Sequence, residues 1–201
     1  MRERAVPVLS ALIAATLSSG ATAAYLRATQ PEVLSVRTPF QTTPEQRHLA
    51  LLLVAPGAPY APAGRGSPVD VAALGRGQSA EGMATLGFRR GWAQAWTSPR
   101  KERVDAFLLE FADATGATGY ARGIGHAASL LIKPEPFVVP GVPEASGLAD
   151  TVRDRNGMYA QVVVLHRGAR AVLLVFTDAS ARPPAAAVTL AQRQYAALAA
   201  P

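Results

Sequence analysis

Three histidines, His48, His126 and His166, are the side chains best suited to acid–base or metal chemistry in this chain. None has a second histidine two or four positions away, the spacings that put two imidazoles on one face of a strand or helix. A site would therefore have to be assembled from distant segments, with His126, His166 and Asp178 as its ingredients and Glu110 as a further carboxylate. The alternative is three surface or locally bonded histidines. The sequence contains no Gly-x-Ser-x-Gly elbow, and no P-loop, His-Glu-x-x-His or EF-hand pattern. Gly123-Ile124-Gly125 is half of a dinucleotide fingerprint, but it lies inside a helix pattern and not after a strand. Cysteine is absent, which removes disulfides, thiolate metal sites and the acylated cysteine of a lipoprotein. The expectation is a protein without catalytic machinery, metal or cofactor.

Binding chemistry has two candidate locations. Arg89 and Arg90 precede Trp92 and Trp96, a basic–aromatic combination that suits a binding patch, although aromatics at this spacing also suit a core. Residues 137–147 form a proline-stiffened apolar stretch that would either line a groove or cap the core. The candidate binding residues are Arg90, Trp92, Trp96, Phe137 and Val139. The formal charge is +6, yet no run of five basic residues occurs and Arg and Lys are scattered through all segments. That distribution argues against nucleic acid. Long-range attraction to anionic lipid or wall polymers remains compatible with it.

The first thirty residues decide the expected compartment. Arg2 and Arg4 precede an uncharged run over residues 5–26, closed by Arg27. About 20 apolar residues span a bilayer as a helix, and Ala21-Thr22-Ala23 offers a small-x-small cleavage pattern. The run thus reads as a secretory signal or as an uncleaved anchor, with basic residues keeping its start in the cytoplasm. Cleavage after Ala23 would remove Arg2, Arg4 and Glu3 and leave a formal charge of +5. The division expected is 1–28 leader or anchor, 29–44 Pro/Thr-rich linker, and 45–201 extracytoplasmic domain.

The elements that must position the candidate residues follow from patterning. Residues 158–177 comprise two runs rich in Val, Leu, Tyr and Phe, hinged at Arg167-Gly168. This predicts a hairpin in which His166 faces Ala169, Leu165 faces Arg170, Val164 faces Ala171 and Val163 faces Val172. Val162 to Leu165 and Val172 to Phe176 are apolar at every position, so both faces of these strands must be covered. Residues 87–97 read as a strand carrying Phe88, Trp92 and Trp96, and residues 102–112 as its antiparallel partner with Phe107, Leu109 and Phe111 on one side.

Asp113 or Thr115 caps a predicted helix to Ile132, with a stripe of Ala117, Tyr120, Ala121, Ile124, Ala128 and Leu131. Its glycines, 116, 119, 123 and 125, imply close packing against a sheet. Ser67-Pro68 predicts a helix start leading to Leu74, followed by a second short helix over residues 79–86. Residues 46–54 form a short strand or helical turn. Residues 134–143 form an extended loop and 147–152 a strand, with a turn at Asn156-Gly157. A last helix begins within residues 180–184 and turns Val188, Ala191, Tyr195 and Leu198 toward the sheet.

Three pieces taken in order resemble a known group: GFRRGWAQAW with FLLEFADATGA, then VPGVPEASG, then RNGMYAQVVVLHRGARAVLLV with its C-terminal helix. They are similar to actinobacterial exported proteins and lipoproteins of unassigned function whose domain has a PsbP-like fold. The resemblance covers residues 49–199 and implies an α+β domain, an antiparallel sheet of hairpins flanked by helices on both faces. It carries no catalytic motif. Without a lipidation cysteine, only an N-terminal helix could tether this chain. The expected role is a non-enzymatic binding or accessory domain for an apolar small molecule or an envelope protein, with an envelope hydrolase or a structural subunit of a membrane complex as alternatives.

Overall fold

The computed structural model describes residues 42–69, 78–131, 134–153, 157–180 and 184–199, with side chains except at 78–80 and 126–131. The predicted leader and most of the linker lie outside these residues. In chain order the elements are α1 (Pro44–Leu52), β1 (Ala61–Pro62), β2 (Ser67–Val69), α2 (Gln78–Thr85), β3 (Phe88–Thr97), β4 (Arg103–Phe111), α3 (Ala114–Leu131), β5 (Glu135–Phe137), β6 (Ser146–Ala149), β7 (Tyr159–Arg167), β8 (Arg170–Asp178) and α4 (Ala185–Ala197). All eight strands form one antiparallel sheet in the order β1-β3-β4-β8-β7-β6-β5, with β2 also pairing β3. Both edges are short and carry proline: Pro62 and Pro68 on one side, Pro136 on the other. Proline cannot donate to a further ladder, so these edges do not invite another strand.

The expected α+β class, an antiparallel sheet between helices, is what the chain adopts. Alternation explains why both faces are covered. Leu109, Phe111, Val162, Val164, Leu173 and Val175 point to one side and pack on Ala117, Tyr120, Ala121 and Ile124 of α3. Val104, Leu108, Val163, Leu165, Val172 and Leu174 point to the other. There they meet Leu49 and Leu52 of α1 and Ala187, Leu190, Ala191 and Leu198 at α4. Each fully buried Val or Leu is worth about 1.5–3 kcal/mol relative to exposure, so the two layers together supply the drive to fold.

Four sequence expectations change in register or type. The hairpin loop is Gly168-Ala169, not Arg167-Gly168: Arg167 pairs with Arg170, His166 with Ala171 and Leu165 with Val172. Gly168, at φ +56°, takes the first loop position, where only glycine accepts a left-handed backbone without cost. The shift is an even number of residues, so every side chain keeps its predicted face. Secondly, a bulge between Phe88 and Arg90 breaks the spacing of four. Phe88 turns to the α3 side, edge-on to Phe111 at 5.9 Å, while Trp92 and Trp96 pack on the α1 and α4 side.

Ser67-Pro68-Val69 does not start a helix; it pairs with Gly91, Trp92 and Ala93 of β3. Proline's fixed φ suits an edge strand as well as a first helical turn, and the sheet contact decides. The remainder of that predicted helix, residues 70–77, and Asn156 of the predicted turn lie outside the described residues. Lastly, residues 135–137, expected within an extended loop, pair with β6 as strand β5, while residues 44–52 take the helical of the two forms expected for 46–54. The Thr43 hydroxyl accepts from the Gln46 N–H at 3.2 Å, and the Gln46 side chain accepts from the Thr43 N–H at 3.1 Å, a reciprocal cap with Pro44 at the first position.

α4 turns Ala187, Leu190, Ala191 and Gln194 inward, with Val188 and Tyr195 only partly covered. Gln194 is fully buried and bridges to α1. Its Oε1 accepts from Val54 N–H at 2.9 Å, and its Nε2 donates to the Leu52 carbonyl at 2.8 Å. Of the two residues expected to cap α3, Asp113 does so: its Oδ1 accepts from Gly116 N–H at 3.0 Å. Gly116 itself lies against the turn after α2, where a Cβ would collide with the Leu86 carbonyl oxygen.

Two consequences are measurable. Gly116→Ala should destabilise the domain by about 2 kcal/mol, because overpacking outweighs the gain of about 1 kcal/mol in helix propensity; the denaturant midpoint reports it. Tyr120 is fully buried with no hydrogen-bond partner on its hydroxyl among the described residues, and burial pushes its phenol above the usual tyrosine range. The folded state therefore holds this proton more tightly than the unfolded chain. That contribution is fully present below about pH 10 and is lost as pH rises beyond it. Tyr120→Phe should match or exceed the wild type in stability at neutral pH and show a weaker alkaline loss in melts between pH 8 and 11.

Candidate functional site

Sheet alternation places the five candidate binding residues on one side of the sheet but at its two ends. Arg90, Trp92 and Trp96 lie on β3. Phe137 lies on β5, about five strand spacings or roughly 24 Å away. Trp96 and Val139 are 5% and 3% exposed and belong to the core beneath α1 and α4. Phe137 packs on that core too, with its ring over Gly147. The chain thus keeps Arg90 and Trp92 at an accessible position and spends the other three on packing. Trp92 lines an open groove of about 750 Å³ with Thr42, Thr43, Pro44 and Arg47, at the N-terminus of α1.

Beside this groove the register builds a charged row that the sequence reading missed. Arg90 of β3 pairs with Glu110 of β4, Glu110 with Arg170 of β8, and Arg170 with Arg167 of β7. Cross-strand partners share a face, so three guanidiniums and one carboxylate stand in line on the α1 and α4 side. Glu110 holds Arg90 on one oxygen at 2.5 Å and faces Arg170 with the other at 3.7 Å. The guanidinium of Arg167 lies over the Tyr195 ring at 4.9 Å and donates to the Tyr195 carbonyl at 3.4 Å. Glu45, in the first turn of α1, is exposed. Its carboxyl is held below the usual range first by a backbone hydrogen bond, then by Thr43, with a smaller contribution from Arg90. With Arg47, the row and the first turn of α1 group four arginines with Glu45 and Glu110.

The catalytic ingredients do not meet in the same way. His166 sits near the β7–β8 turn, on the α3 side, and its Nε2 lies 3.0 Å from Glu144. That contact pins the 138–145 loop to β7; Glu144 holds a left-handed backbone at φ +58°. Asp178 lies at the opposite end of the hairpin, opposite Tyr159, seven residues along β8 from the partner of His166. It borders a narrow cleft of about 40 Å³ with Tyr60, Glu102, Tyr159 and Phe176. His126 lies in α3, in the stretch without described side chains. No group of three or more His, Cys, Asp or Glu that could hold a metal occurs among the described residues.

No family model and no curated protein matches the sequence. Among solved structures, the extracellular domain of PknH from Mycobacterium tuberculosis shares the fold, with a TM-score of 0.56 at 12% identity. The match covers 77% of this chain and 97% of that domain. At this identity the likeness is one of architecture.

Glu110 is the only carboxylate in the row and is 17% exposed on its side chain. Glu110→Gln leaves Arg90 and Arg170 confronting each other without a counter-charge. A loss of about 1–3 kcal/mol is expected at low salt, partly recovered at high salt as repulsion is screened. Urea titrations at two ionic strengths measure both.

Proposed function

We propose that this chain is an exported envelope protein whose folded domain works outside the cytoplasmic membrane as a non-enzymatic binding or accessory module. The observation that carries the reading is the fold match, which spans nearly all of an extracellular domain. The N-terminal run over residues 5–26, uncharged and preceded by Arg2 and Arg4, supports export from a separate direction. In this reading residues 1–28 are a leader or anchor, residues 29–44 a linker, and the remainder the working domain. The sheet between helices also agrees with kinship to the actinobacterial exported proteins of PsbP-like fold that the sequence resembles.

The partner meets a surface. Drug-sized ligands occupy about 300–1,000 Å³ of mostly enclosed, apolar space, whereas the narrow cleft beside Asp178 has about 40 Å³ and the larger groove at Trp92 is open. This favours an envelope macromolecule over an enclosed apolar small molecule. The separation of His166 from Asp178 along the hairpin likewise favours binding over hydrolysis.

Two measurements test the proposal. Fractionation of the native host, with N-terminal sequencing, should find the chain in the envelope or medium, either cut after Ala23 or intact; recovery in the cytoplasm would sink it. The triple variant His126→Ala, His166→Ala, Asp178→Ala should rescue a deletion strain's envelope phenotype as well as wild type, provided its melting curve shows it folded. A folded variant that fails to rescue points to an enzyme.

A further inference from the structure

The arginine row has a chemistry that packing alone does not require. Arg90, Arg170 and Arg167 share one carboxylate, Glu110, across four consecutive strands, so the row carries two uncompensated positive charges. Arg90 and Arg170 keep 35% and 21% of their side-chain surface, and Arg167 is exposed. Guanidinium is the cation best matched to phosphate, through its planar fork of donors. Position adds a second argument. Thr42 and Thr43, where the linker joins the domain, line the groove with Arg47 and Trp92, and Trp92 stands two residues from Arg90 on the same face. The row therefore lies on the end of the domain that meets the linker. A chain tethered through residues 5–26 would be attached to the membrane from this end.

We infer that the face formed by Arg90, Arg170, Arg167, Arg47 and Trp92 docks on an anionic phospholipid surface. Phosphate groups meet the guanidiniums while Trp92, an amphipathic ring, sits at headgroup depth. Glu110 spaces and orients Arg90 and Arg170 and offsets one of the row's three charges. The inference rests on the export and tether reading given above, which makes the linker end membrane-proximal.

The test uses the full-length chain with neutral phosphatidylcholine vesicles and with vesicles in which about a third of the lipid is phosphatidylglycerol. At low salt the wild type should bind the anionic vesicles about 30-fold more tightly, given the attraction of each surface arginine to an anionic leaflet. The preference should vanish at about 1 M salt, where screening acts within roughly 3 Å; this arm needs no variant. Arg90→Gln, Glu110→Gln and Arg170→Gln together remove the row without leaving a lone carboxylate, and the preference should fall to about fivefold. Arg100→Gln, an equal change in net charge at the exposed β3–β4 turn, should leave it intact.

A folded row variant that keeps the wild-type preference overturns the inference. So does a wild type that shows no anionic preference yet captures soluble polyphosphate, which would make the row a site for free polyanion. Association with neutral vesicles reads the tether separately. Binding to neutral lipid without an anionic increment rejects the row and keeps the tether, whereas an anionic increment without neutral binding keeps the row and rejects the tether.

Discussion

Burial of the β7–β8 hairpin on both faces is the constraint from which the rest of the architecture follows. Val162 to Leu165 and Ala171 to Val175 are all buried, and no single layer can cover residues that alternate between two faces. One helix, α3, covers the side with Leu173 and Val175. The other side, with Val172 and Leu174, takes two helices, α1 and α4, and the loop with Val139 and Val142. Because hairpins on either side extend the sheet, these two strands are central and the proline-bearing strands fall at the edges, where a missing N–H costs nothing.

The two-helix face needs a fastening that hydrophobic contact does not provide. α1 and α4 are separated by about 140 residues in sequence, and Gln194 joins them by satisfying the Val54 N–H and the Leu52 carbonyl at the end of α1. Those two backbone groups would otherwise be stranded near the core, at a cost of about 1–3 kcal/mol each. A buried amide with one donor and one acceptor used also fixes orientation, because the bonds are directional where apolar packing is not. With α1 so held, its capped N-terminus stands over β3 and leaves the arginine row beside it.

The row illustrates how an antiparallel sheet assembles a charged surface from residues scattered in sequence. Arg90, Glu110, Arg167 and Arg170 belong to three separate stretches and form no motif. Pairing brings them into line because each lies close to the same end of its strand. Basic residues grouped in this way act on a partner through a shared field, which scattered charges on opposite faces do not.

Residue patterning alone determined the sheet's central hairpin, the β3–β4 pair, α3 and the cover on both faces, since strands apolar at every position need a layer on each side. The Thr43-Pro44-Glu45-Gln46 cap was equally legible but was obscured by the density of nearby prolines. Tertiary structure alone decided the rest. Whether Ser67-Pro68 entered a helix or an edge strand depended on β3 being there to pair with it. The bulge after Phe88 parted it from Trp92 and Trp96, which constant spacing could not reveal. The hairpin slipped by two, a change that apolar patterning cannot sense because it leaves every face unaltered. That slip sets Arg170 opposite Arg167 and not Leu165, and Arg167 joins the charged row only in this register.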